Sequence, residues 1–155
     1  LGFLNASIDV STNDLVFAEG LNSKTINKEL ILDRIFADKE ITLNNIYYDF
    51  DQWDIKAEAK PTLDNLMKIL LDNPQINIQL SSHTDCRGET EYNEELSQKR
   101  AQSAIDYLIN RGIPSTRLIA KGYGEEQPID DCECSICTED QHQKNRRTTF
   151  KIIKK

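Results

Sequence analysis

Between Ile46 and Tyr123 the apolar residues change their spacing from two to three or four and back again, twice over, and few architectures accept that rhythm. Ile46, Tyr48 and Phe50 alternate with Tyr47, Asp49 and Asp51 as one face of a strand. Leu63, Leu66, Met67 and Leu70 then recur at helical spacing behind Pro61, whose ring suits a first helical turn, until Asn73-Pro74 stops them. Ile76, Ile78 and Leu80 alternate again up to Ser82. After a polar loop containing Gly88, a second helix is predicted from about Glu91 to Asn110. Its stripe is Leu96, Ala101, Ala104, Ile105 and Leu108, and Arg111-Gly112 is its stop. Residues 118–123 and 148–153 read as two more strands. The order βαβαββ implies an α/β fold, an α+β sandwich with the helices on one face of a mixed four-stranded sheet.

Residues 1–40 differ from the rest. Short alternating pieces such as Ser7-Ile8-Asp9-Val10-Ser11 are separated by turn-like stretches, so a β segment is expected there, ahead of a main domain at 41–155. Two or three strands cannot enclose an apolar face. Residues 1–37 are therefore expected to pack on the main domain or on a neighbouring copy, as in a homodimer. A chain that begins at Leu1 rather than Met is expected to be a processed product or a piece of a longer protein.

Charge narrows the partners. A net charge of −7 argues against a nucleic-acid backbone as principal ligand. Acid is concentrated between Glu125 and Asp140, which holds no basic residue, whereas Gln141 to Lys155 holds no acidic one. Catalytic signatures are weak. There is no Gly-x-Ser-x-Gly elbow and no phosphate-binding glycine loop, and Ser82, His83 and Asp85 stand too close along a strand end to form a relay. Binding rather than catalysis is expected, with no cofactor.

Of the four cysteines, Cys132, Cys134 and Cys137 fall within six residues, and Cys86 stands apart. Disulfides in an oxidising compartment are the favoured reading, and a zinc site of Cys-x-Cys-x2-Cys with His142 is the alternative. At least one disulfide is expected within the cluster, Cys132 to Cys137 being the least strained pair because Cys132 to Cys134 closes a very tight ring; whether Cys86 pairs the leftover thiol is left open by the sequence.

The loop His83 to Gly88 and the helix after it carry the other constellation. Asn93 and Arg100 are seven residues apart, so they share a helix face, and the loop can bring Asp85 beside them. An Asp and an Arg flanking one pocket either close on each other or receive a zwitterion, the Asp accepting from an ammonium and the Arg forking to a carboxylate.

The ordered run His83-Thr84-Asp85-x2-Gly88-x3-Tyr92-Asn93-x2-Leu96-Ser97-x2-Arg100-Ala101 is followed by Tyr107-Leu108-x3-Gly112-Ile113. Gly122-Tyr123-Gly124-Glu125-x2-Pro128 and Asn145-Arg146-Arg147 complete it, and the whole closely resembles the OmpA-like C-terminal domain. This peptidoglycan-binding module is shared with peptidoglycan-associated lipoproteins and flagellar stator proteins. The resemblance covers roughly Ile41 to Ile153. It implies non-covalent binding of diaminopimelate in the wall's peptide stem. On the matching positions Asp85 accepts from the ammonium and Arg100 holds the carboxylate. Asn93 and Arg146 line the pocket, Thr84 and Leu96 shape its walls, and the Phe50-Asp51 turn offers backbone amides. Helix capping is the structural alternative for Asn93, and pairing with the acidic loop that for Arg146. The implied place is the periplasmic face of the outer membrane, with the membrane reached through other parts of a larger protein. Ser82 in place of the usual Gly, Cys86 beside the ligand Asp, and the cysteine cluster depart from the pattern. Residues 1–40 resemble the closing strands of a β-sandwich that precedes such modules in some large outer-membrane-associated proteins.

Overall fold

The computed structural model describes residues 40–43, 46, 48 and 52–153. Its elements are β1 (Glu40–Leu43), α1 (Lys60–Asp72), β2 (Asn77–Ser82), α2 (Thr90–Ile109), β3 (Leu118–Gly122), α3 (Glu139–Asn145) and β4 (Thr148–Ile153). The sheet order is β1-β4-β2-β3, with β2 and β3 parallel and the other two pairings antiparallel. Two parallel neighbours need a crossover, and α2 supplies it.

Pro61 does sit in the first turn of α1, and Leu63, Leu66 and Leu70 are its buried stripe. At its end the Asn73 side chain donates back to the Ile69 carbonyl at 2.8 Å. Arg117 donates to the carbonyls of Leu70, Asn73 and Ile76, which ties that helix end to the start of β2. In α2 the buried face includes Leu96, Ala101, Ala104, Ile105 and Leu108. Gly112, at φ +94°, reverses the chain where Ile113 donates to the Leu108 carbonyl. Gly122 has another reason to be glycine: a Cβ there would lie 2.3 Å from the Gln98 backbone nitrogen, so β3 and α2 approach as closely as they do only without a side chain.

Two expectations are corrected. The first strand among the described residues is Glu40–Leu43, whose Leu43 pairs with Thr148, the first residue of β4; of the run Ile46 to Phe50 only Ile46 and Tyr48 are described, and neither is in a strand. Ile46 and Tyr48 still turn inward; Ile46 is buried and Tyr48 packs on the core. The acidic segment Glu125 to Asp140 is not wholly a loop, since its last two residues, Glu139 and Asp140, open α3. The expected β segment lies, apart from Glu40, outside the described residues, as does the self-association assigned to residues 1–37.

Candidate ligand-binding site

The site forms where β2 and β3 end and β4 begins. Beyond Ser82 the chain continues between two neighbours: the His83 amide donates to the Arg147 carbonyl at 2.9 Å and the Thr84 amide to the Gly124 carbonyl at 2.8 Å. Asp85 is thereby fixed at the rim of the sheet and is buried. Asn93, Leu96 and Arg100 come from the facing side of α2 and are buried as well. Arg146 closes α3 just before β4.

Thr84, Asp85, Asn93, Leu96, Arg100 and Arg146 line one cavity of about 430 Å³. Six of the eight site residues read from the sequence are thus brought together; Phe50 and Asp51 lie outside the described residues. Asn93 is not the helix cap, which falls at Glu89. Its amide instead donates to the Arg87 carbonyl at 3.1 Å and to the Glu125 carboxylate.

Sequence reasoning missed the side chains that tune Asp85. Arg87 donates to its two carboxylate oxygens from Nε at 3.2 Å and Nη2 at 2.7 Å, and from its backbone amide at 3.0 Å. Arg146 Nη1 donates to the same carboxylate, at the Oδ2 that Arg87 Nη2 also uses. Glu139, in the first turn of α3, receives both arginines, so Arg146 does pair with the acidic segment while also lining the cavity. Burial pushes the Asp85 carboxyl up, but the hydrogen bonds from Arg87 and Arg146 outweigh it and bring it down to about 2. Asp85 is therefore an anion throughout the physiological range. Arg100 is positioned differently: its Nε donates to the Gln52 carbonyl at 3.0 Å and its guanidinium lies 4.8 Å from the centre of the Tyr48 ring. Tyr48 and Tyr92 add aromatic wall to the cavity.

Two disulfides hold the far side. Cys86 is bonded to Cys134 and Cys132 to Cys137, the second being the least strained pair of the cluster and the first the link that the sequence left open. The zinc alternative fails on its donors. Cys86 Sγ does come within 4.0 Å of His142 Nδ1, but all four sulfurs are committed to S–S bonds and none is a thiolate.

An α/β domain of this topology, presenting a charged cleft beyond the ends of two parallel strands, is what fold and site define together. The chain belongs to the OmpA family, whose model matches residues 47–146. It is 36% identical over 104 residues to the peptidoglycan-associated lipoprotein of Rhizobium meliloti, a match covering 65% of this chain and 59% of that protein. It is 38% identical over 99 residues to outer membrane protein A of Salmonella typhi, covering 62% of this chain and 28% of that one. The crystal structure of the peptidoglycan-associated lipoprotein from Burkholderia pseudomallei superimposes with a TM-score of 0.62 at 29% identity, over 69% of this chain and 87% of the other. The chain thus spans about three fifths of the curated lipoprotein it resembles.

Proposed function

We propose that this domain binds peptidoglycan non-covalently by holding the diaminopimelate of the peptide stem, and so fastens a larger outer-membrane protein to the cell wall from the periplasmic face. The observation that carries the reading is one 430 Å³ cavity with a buried carboxylate, Asp85, and a buried guanidinium, Arg100, in its wall. A group bearing an ammonium and a carboxylate on one carbon matches both. Asn93, Arg146, Thr84 and Leu96 complete the enclosure, and the Phe50-Asp51 amides belong to the same assignment. Relatives named for peptidoglycan association support it, and two disulfides suit an oxidising periplasm. The domain division at residue 40 and self-association through residues 1–37 are part of this proposal and rest on the sequence.

Binding is an exchange of cations. The ligand's ammonium takes its place on Asp85 at the expense of Arg87, whose side chain is 51% exposed and keeps Glu139 as a second partner when it withdraws. No bond is made or broken, and the role is that of a binding module rather than an enzyme.

The test is pull-down on isolated sacculi together with calorimetry on matched muropeptides. Asp85→Ala or Arg100→Ala should weaken binding by about 30-fold to several thousand-fold, the effect of removing one partner of a desolvated charge pair. Stems carrying lysine should bind at least about tenfold more weakly than those carrying diaminopimelate, since lysine offers Arg100 no carboxylate. Undiminished pull-down by both variants would overturn the assignment.

A further inference from the structure

Behind the diaminopimelate cavity lies a second one, of about 440 Å³, that shares Tyr48, Arg100 and Arg146 with it. Its own features are His83, Arg147 and Gln143. His83 is 1% exposed, yet neither of its ring nitrogens has a hydrogen-bond partner. Buried polar atoms left in that state are uncommon and call for an explanation. The ring is held in place by stacking on Tyr123, with centroids 5.4 Å apart. Arg147 is half-buried and spends its guanidinium on two backbone carbonyls, those of Gln127 at 2.9 Å and Asn145 at 3.4 Å. It has no carboxylate within ion-pair distance among the described residues, and Glu40 acts on it only as a more distant charge. No acidic side chain lines this cavity among the described residues.

From this juxtaposition of an unpartnered buried imidazole with a guanidinium that has no counter-ion among the described residues, we infer that the second cavity is a carboxylate subsite. It receives a carboxylate of the peptide stem other than the one held by Arg100. The inference rests on the proposed function, because the two cavities share Tyr48, Arg100 and Arg146 and so lie side by side along the path of a single ligand. The chemistry is specific. A carboxylate accepts from the guanidinium of Arg147 and from an N–H of neutral His83, which satisfies a buried donor and neutralises a desolvated cation in one step. Burial first, and then the charge of Arg147, bring the His83 imidazole down to about 3. His83 is therefore neutral when the ligand arrives and carries a hydrogen to donate.

Three probes separate the sources of such a group: a diaminopimelate-containing muropeptide with its remaining carboxylates free, the same muropeptide with those carboxylates amidated, and sodium acetate. The ring ¹⁵N resonances of His83 in the wild-type chain are followed at fixed pH, which needs no substitution in the fold. The free-acid muropeptide should shift them at sub-stoichiometric acetate-equivalent concentrations, and the amidated one should not. By calorimetry, Arg147→Gln should weaken the free-acid muropeptide about tenfold more than it weakens free diaminopimelate. Silent His83 resonances, or equal losses for the two ligands, would overturn the subsite even while Asp85→Ala still abolished binding, leaving the proposed function standing. A shift produced equally by acetate at the same concentration would make this a general anion site and overturn its assignment to the stem. No binding of either muropeptide to the wild type would overturn the proposed function, and this inference with it.

Discussion

From Ala59 to Leu118 buried apolar side chains recur in every long element, whereas between Gly124 and Arg147 the only buried residues are Gly124, His142 and Asn145. The first region, the body, is held by the hydrophobic effect, at roughly 25 cal/mol per Å² of apolar surface buried. The second, a corner laid over the binding face, is held by two disulfides, ion pairs and one side-chain amide that makes three hydrogen bonds. Asn145 Oδ1 accepts from the Ile129 and Asp130 amides while its Nδ2 donates to the Asp130 carbonyl. The cavity sits on the seam between them, with Asp85, Asn93 and Arg100 supplied by the body and Glu139 and Arg146 by the corner. A binding face built this way has a rigid half and a half whose stability depends on redox state and charge.

The strongest way to break the contrast is to remove its covalent half. Cys86–Cys134 closes a separation of 48 residues and Cys132–Cys137 one of 5. Loop-closure entropy alone then assigns about 4 kcal/mol to the first and about 2 kcal/mol to the second. Paired Cys→Ser variants should show that two-to-one ratio in denaturant titrations. Hydrogen exchange on the reduced protein should open residues 126–147 first while β2 stays protected. Simultaneous loss of protection in β2 would mean that the corner, and not apolar packing, holds the body.

Next in size is the converse experiment. Leu108 is fully buried in α2, so Leu108→Ala should cost about 3 kcal/mol through lost transfer energy and a residual cavity. Urea unfolding should record that loss in the body, with both disulfides still formed by mass spectrometry. A cost below about 1 kcal/mol would show that the core is loosely packed there.

The same division explains what could be read in advance. Body elements announce themselves through the spacing of Leu63, Leu66 and Leu70 or of Ile76, Ile78 and Leu80, because each must bury a face. β1 escaped because its extent is decided by its partner: β4 starts at Thr148, and no pattern within residues 41–50 carries that information. α3 escaped because it buries only His142 and Asn145 and has no apolar stripe. Its one local signal was Thr138-x-x-Gln141, a capping box, followed by Glu139 and Asp140 in the first turn. In the site, Asp85, Asn93 and Arg100 were legible from helical spacing and from family resemblance. Arg87 and Glu139 were not, since the contact between them joins exposed positions 52 residues apart.

A smaller effect is expected at the seam. The carboxyl of Asp85 is lowered from 3.8 to about 2, so its contribution is fully present above about pH 4 and is lost as pH falls through 2. With allowance for solvent screening it amounts to about 1 to 2 kcal/mol. Lowered His83 acts over a higher window: the unfolded chain takes up its proton first, so stability already declines between about pH 6.5 and 3. Asp85→Asn should flatten the acid limb between pH 4 and 2 and leave the His83 limb in place. An unchanged limb in circular-dichroism titrations would mean that Arg87 and Arg146 do not act on Asp85 in solution.

The smallest effect discriminates best. In α3 the Thr138 hydroxyl accepts from the Gln141 amide at 3.3 Å, and the Gln141 side chain accepts from the Thr138 amide at 2.9 Å. A helix of seven residues cannot persist on intrinsic propensity. It depends on its cap, on the Cys132–Cys137 link just ahead of it and on Asn145 at its end. Thr138→Ala removes one exposed cap bond, for which about 0.5 to 1 kcal/mol is expected. If body and corner open separately, that loss stays local. Exchange over residues 139–145 accelerates, the melting temperature of the body moves by about a degree or two, and muropeptide affinity falls only a few-fold, because Glu139 still reaches Arg87 and Arg146 in most molecules. A global destabilisation approaching that of Leu108→Ala would mean that the cap energy is transmitted through the whole domain. The corner and the body would then be one cooperative unit, and the seam at the cavity would not be a boundary between two kinds of stability.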